Sequence, residues 1–334
     1  MKSLTRCMPI AFLLAAPFLG LMTGCRDNAP PPDKPVSLRI GYRSSLPADV
    51  GALWAYETGA LSELGLSSTV QGYGPPYVLL EALRSNSIDL VTVMPLEPVL
   101  EDIRLGKANY LIYCLLCFSP SEEFDAIVVK TTEDDPAPSW QTVTPRVLGV
   151  IPAKQNALIG STIVENAGAG FEIRQYNPQN PLLSLESGDF GAVHVLGTDV
   201  ARAKASNGKF IVMEACPASR RVFGGKITPA GVGLISKKWL DLHPNLAHAV
   251  VNTVLRFSKQ TRSTPGDKQL VGMLEKEKYG GLSPEVSRYL AYAPLIPYSE
   301  VKPTDFAPLL LFLQKKNVET ASVESILRHV YSEN

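Results

Sequence analysis

Histidine is scarce in this chain, and the little there is lacks pattern. His194, His243, His248 and His329 are the only four, and no HExxH or other metal-ligand spacing joins them. Neither a GxSxG nucleophile elbow nor a Walker phosphate loop occurs. The run Ala167-Gly168-Ala169-Gly170 follows a helical pattern and reads as a helix end, not a phosphate cradle. With no catalytic set in view, the chain does not read as an enzyme, and no cofactor or metal is expected. An excess of one charge is missing too. Lysine plus arginine and aspartate plus glutamate each number 32, which argues against nucleic acid as a partner and against a polybasic membrane-surface patch. Cysteine is sparse as well. Of five, Cys7 and Cys25 stand near the amino terminus, leaving Cys114, Cys117 and Cys216, too few for a disulfide scaffold. Cys114 and Cys117 have CxxC spacing but lie in the apolar run Tyr110 to Phe118. Residues three apart on a strand face opposite ways, which suits neither a disulfide nor shared metal ligation. The three read as buried core thiols, with a Cys117–Cys216 bridge as the alternative.

Long apolar runs are limited to one. Lys2 and Arg6 precede Ile10 to Met22, a stretch short for a membrane span and suited to the core of a signal peptide. It ends in Leu21-Met22-Thr23-Gly24-Cys25, which resembles the lipobox of bacterial lipoproteins, with Met22 where leucine is usual. That resemblance implies lipidation of Cys25 as the new amino terminus and export to a bacterial membrane, facing the periplasm or cell exterior. An ordinary secretory signal is the alternative. Residues 26–35 (RDNAPPPDKP) hold four prolines and read as an extended linker. Loss of Lys2 and Arg6 with residues 1–25 leaves 30 basic against 32 acidic residues, a net charge of −2.

What remains, about 300 residues, is enough for two domains of ordinary size. Leu38 to Leu66 organises them. Leu38, Ile40 and Tyr42 alternate with Arg39, Gly41 and Arg43 as in a strand; Ala52, Leu53, Ala55 and Tyr56 then recur at helical spacing up to Gly59. Further strands are expected at 68–72, 88–93, 110–118 and 126–129, with helices between and a loop over Met94 to Pro98. A second series has strands at 146–151, 171–174, 192–196 and 210–213 and helices at 156–166, 182–185 and 197–205. A last strand at 231–235 precedes a helical tail from Lys237, most clearly amphipathic over Leu246 to Phe257. The fold class is α/β: two similar halves with two crossovers, hence a hinged cleft, a favoured ligand site.

At this point four stretches carry a resemblance. They are Leu38–Tyr42 with Glu57, Gly59, Leu61 and Gly65-Leu66; Ala82 to Leu90 (ALRSNSIDL); Leu185 to Ala192 (LESGDFGA); and Leu234 to Asn245 (LISKKWLDLHPN). In this order and spacing the chain resembles extracytoplasmic solute-binding proteins of ABC importers, of the nitrate, sulfonate, taurine and thiamine-precursor type. The resemblance implies a type II periplasmic-binding-protein fold. Its first domain would comprise 36–124 and 223–334 and its second 125–222, with capture of a small polar or anionic solute for a permease and ATPase. A monomer is expected. Sensing or assembly lipoproteins of this fold, and enzymes acting on thiamine precursors or chorismate-derived compounds, are the alternatives; the latter are cytoplasmic, against which the leader argues. Two departures stand out. Gly191 replaces the family's usual aspartate, and Ser139 to Val147 (SWQTVTPRV) replaces its usual lead-in to the second domain.

Loops after the strands would converge on the cleft, where helix N-termini offer free N–H groups suited to carboxylate, sulfonate or nitrate. The ligand-binding candidates of the first half are therefore Tyr42, Ser44, Ser45, Pro76, Tyr77, Met94 and Glu97. Those of the second are Lys154, Gln155, Asn156, Thr198 and Asp199, with Phe124 and Phe223 at the crossovers. Ser44 and Ser45 equally suit helix capping, Tyr77 a core position and Glu97 solvent. Glu97 and Asp199 disfavour anions while Lys154 favours them, a mixture that suits a zwitterion.

Overall fold

The computed structural model describes residues 35–43, 50–132, 137–177 and 180–332. The leader, Cys25, most of the proline-rich linker, and Ser44 and Ser45 lie outside them. Strand β1 (Val36–Arg43) is followed by α1 (Gly51–Glu57), β2 (Leu66–Tyr73), α2 (Pro76–Arg84), β3 (Leu90–Pro95), α3 (Leu96–Arg104) and β4 (Tyr110–Phe118). The second series runs β5 (Asp125–Lys130), β6 (Val147–Val150), α4 (Lys154–Asn166), β7 (Glu172–Gln175), α5 (Pro181–Glu186), β8 (Ala192–Leu196), α6 (Gly197–Lys204) and β9 (Phe210–Ala215). Then come β10 (Thr228–Ser236), α7 (Lys237–Leu242), α8 (Pro244–Ser263), α9 (Lys268–Leu274), α10 (Pro284–Ser287), β11 (Leu295–Pro297), α11 (Ala307–Lys315) and α12 (Val323–Leu327).

Two mixed sheets result, each with helices packed on it. The first has the order β11-β4-β10-β3-β1-β2 and the second β7-β6-β8-β5-β9. In the first, β1 lies parallel to β2 and β3, and β10 enters antiparallel between β3 and β4. In the second, β6 is parallel to β7 and β8, while β5 runs antiparallel to β8 and β9. The chain thus leaves the first sheet after β4 and returns to it at β10. This is a two-lobed α/β fold.

Two expectations need correction. No loop separates β3 from α3: the strand runs through Pro95 and the helix begins at Leu96. Pro98 falls in the first turn of α3, where its missing N–H would have had no intrahelical partner, so it does not delay the helix. The tail is not wholly helical either. Leu295–Pro297 adds a three-residue strand to the edge of the first sheet, antiparallel to β4. Three residues are too few to show an alternation, so the strand has no local signature.

The core explains several family-like residues. Glu57, closing α1, accepts hydrogen bonds from Lys278 Nζ at 2.7 Å and Tyr279 Oη at 2.7 Å, tying the first helix to the tail. Helix α8 packs on α1 with Phe257 edge-on to Trp54. The two sequence departures prove to be one feature. A Cβ at Gly191 would stand 2.1 Å from the Pro145 carbonyl oxygen and 2.7 Å from Val143 Cγ1. The unusual lead-in therefore lies directly on Gly191, and no side chain fits beneath it. Gly188, three residues earlier, has another reason: its φ of +79° ends α5 in the left-handed region. Cys114, Cys117 and Cys216 are buried and unbridged, and burial pushes the Cys117 thiol up to about 12 and that of Cys216 to about 11. Such thiols are not reactive at neutral pH.

Candidate solute-binding cleft

A cavity of about 60 Å³ lies between the two sheets, at the carboxyl ends of their parallel strands. The first sheet contributes Arg43 from the end of β1, Pro95 from the end of β3, Phe118 from the end of β4, and Gly231 near the start of β10. Ile151, Asn156 and Leu196 close it from the second sheet, and Phe124 from the segment joining the two. A roomier groove of about 520 Å³ opens at the other end of β1, where Arg39 and Asp89 are paired with each other. Asp89 takes Arg39 in two hydrogen bonds, of 2.7 and 2.9 Å.

Arg43 is the cleft's unusual member. Its side chain is 6% exposed, its Nε is buried without a hydrogen-bond partner, and it has no ion pair among the described residues. Burial lowers its pKa, and Tyr176 opposes the shift. The strand alternation that marks β1 includes Arg43 among its polar positions. What cannot be read locally is that no carboxylate among the described residues pairs with it.

Of the expected site residues, Phe124 and Asn156 line the cavity. Gln155 and Glu97 stand at its edge and tie the lobes together. Gln155 Oε1 accepts the Glu97 N–H at 3.2 Å, while its Nε2 donates to the Ala230 carbonyl at 3.4 Å. The Gln155 N–H in turn stabilises the Glu97 carboxylate, whose pKa is nonetheless raised by burial, with Lys154 pulling it down. Gln155, in the first turn of α4, thus meets an N-terminal N–H of α3 across the cleft. Lys154 is exposed, and Met94 is wholly buried in the core.

Other candidates stand away from the cavity. Tyr42 points to the opposite face from Arg43, where it packs 5.6 Å from the Tyr279 ring and donates to the Lys278 carbonyl. Pro76 opens α2 half-buried, and Tyr77 after it is 72% exposed. Thr198 is buried in the first turn of α6 with its hydroxyl unpartnered. Asp199 beside it is 2% exposed and bonds Arg202 Nη1 at 3.0 Å; burial lifts its pKa to about 6 despite Arg202.

Aromatic packing and one carboxylate hold the region between the lobes. Phe223 stacks on Phe118 at 6.2 Å and meets Phe312 edge-on at 5.5 Å. Asp125, at the start of β5, accepts the Ala218 N–H at 2.9 Å and faces His194 Nε2 at 3.1 Å. It therefore ties the outgoing segment to the returning one. No group of metal-binding side chains occurs among the described residues, and no helix among them is long and apolar enough to cross a membrane.

No protein-family model and no curated protein matches the chain. Solved structures do. The periplasmic aliphatic sulphonate binding protein SsuA from Escherichia coli superimposes with a TM-score of 0.65 at 17% identity, over 89% of this chain and 98% of that one. The alkanesulfonate-binding SsuA of Xanthomonas axonopodis, solved with MOPS bound, gives 0.63 at 16% identity over 89% and 99%. The periplasmic nitrate-binding protein NrtA from Synechocystis gives 0.66 at 12% identity over 89% and 86%. The chain shares the fold of these periplasmic binding proteins along nearly its whole described length.

Proposed function

We propose that the protein is a lipid-anchored solute-binding protein that captures a small polar or anionic solute between its lobes and delivers it to an ABC importer. The observation that carries this reading is the cavity at the facing carboxyl ends of two sheets joined by two chain crossings. A cleft so built can open to admit a solute and close to hold it. In this reading residues 36–124 and 223–334 form one lobe and 125–222 the other, hinged near Phe124 and Phe223. The molecule acts as a monomer, tethered through Cys25 and the proline-rich linker beside its permease and ATPase. The signal-like leader and the shared fold with sulfonate- and nitrate-binding proteins support this reading. Isothermal titration of the protein lacking its leader, with taurine, alkanesulfonates, nitrate and pyrimidine-like amines, should find a ligand; absence of heat with all of them would overturn the small-anion reading of the solute. Cys25→Ser should move the protein from the membrane to the soluble fraction.

A further inference from the structure

Helix α6 sits in two cores at once. Val200 and Ala203 belong to the apolar core of its own sheet, with Val193, Val195 and Phe210. Ala201, between them in sequence, is 0% exposed and belongs instead to a core of the first lobe, with Tyr279, Leu282 and Leu290. A helix apolar on two sides is a helix buried from two sides. Two further contacts join α6 to the same region. Gly197 stands four residues before Ala201 and so shares its face; a Cβ there would lie 3.5 Å from the Ala291 carbonyl oxygen. Arg202, bonded to Asp199 at 3.0 Å, also donates to the Gly280 carbonyl at 3.4 Å. These partners lie in the tail segment 279–291, which the bonds of Lys278 and Tyr279 to Glu57 fasten to the first lobe. The contact is separate from the one that Gln155 makes with α3 and β10. Each half of it is fixed to a different lobe.

We infer that α6 and the tail segment 279–291 form a clasp that seats when the lobes close and parts when they open, and so helps to set how long a solute is held. The inference rests on the capture reading above and deepens it. Small residues make the contact separable. Uncovering Gly197 and the Ala201 methyl exposes little apolar area, whereas leucine or phenylalanine in their place would weld the lobes together. The tie from Arg202 to Gly280 is long for an N–H···O bond, and water replaces it readily on opening. Val200 and Ala203 stay in the core of their own sheet throughout, so α6 moves with the second lobe. The close seating also makes position 201 sensitive to size. A larger side chain there meets a packed core and props the clasp open.

The test uses the leaderless protein and a thiol-reactive maleimide. Ala201→Cys and Ala203→Cys each place one new thiol on the same helix, at positions that are both 0% exposed. The parent protein supplies the background from its own buried cysteines. Under native conditions Ala201→Cys should be labelled faster than Ala203→Cys by roughly tenfold or more, because lobe opening uncovers the first while only unfolding uncovers the second. Equal rates would overturn the clasp, since α6 would then leave the first lobe only on unfolding. Ala201→Leu is an independent variant. Spin labels at the exposed positions Leu105 and Leu183, one on each lobe, should report a longer separation in it than in the wild type. An unchanged separation with a lower unfolding temperature would mean that the contact is a permanent part of the fold, and would also overturn the clasp. Solute titration of the wild type bears on capture alone, so the clasp can fail while the capture reading stands.

Discussion

Asp199 gives the sharpest test of how burial sets the energetics of this fold. Its carboxyl is 2% exposed, bonded to Arg202 at 3.0 Å and close enough to Tyr176 to raise that phenol's pKa. Burial outweighs the help from Arg202 and lifts its pKa from 3.8 to about 6. The displacement is worth about 1.4 kcal/mol per pH unit, so ionised Asp199 costs the folded state about 3 kcal/mol. For an acid whose pKa is raised on folding, the cost is absent below pH 3.8, grows between about 4 and 6, and is complete above that. Asp199→Asn removes the charge and keeps an oxygen to accept from Arg202. Urea unfolding of both proteins from pH 4 to pH 8 isolates the effect, since every other titrating group is common to the pair and cancels in the difference. The variant should gain about 3 kcal/mol on the wild type as the pH rises across that window. A difference that stays flat with pH would refute the reasoning, and one that falls with pH would mean that Arg202 outweighs burial.

Gly191→Ala should cost about 3 kcal/mol in urea unfolding, the upper end for overpacking, because its Cβ meets a backbone oxygen that cannot swing aside. Gly188→Ala, with open space around it but φ at +79°, should cost only about 1 kcal/mol; equal losses at the two would contradict this distinction. Gln155→Ala removes two hydrogen bonds that span the cleft, worth about 1–3 kcal/mol together. Spin labels at the exposed positions Leu105 and Leu183 should then report a wider, more open distance distribution in the ligand-free protein, and an unchanged one would deny Gln155 a closing role.

The parts of the fold that could be read locally came out close to their expected bounds. Tyr110–Phe118 and Ala192–Leu196 are apolar runs flanked by turn residues, and both are strands over those spans. Asn86 and Gly188 end their helices with positive φ, a role their residue types announce. The cleft was harder to read. Phe124 and Asn156 were placed from the position of crossings and loops, which are topological. Tyr42 packs against Tyr279 while Arg43 lines the cavity, and on a strand one residue is the whole difference between one face and the other.

Periodicity, caps and the order of strands and helices are properties of neighbouring residues, and they by themselves determined an α/β chain in two halves behind a signal-like leader. Tertiary structure alone decided what depends on residues far apart in sequence. It placed β11 on the edge of the first sheet, laid the Val143–Pro145 segment over Gly191, and brought Gln155 of the second lobe onto the Glu97 N–H of the first. It also buried the Arg43 Nε without a hydrogen-bond partner among the described residues. Whether a charge is balanced depends on everything packed around it, and no window of sequence contains that.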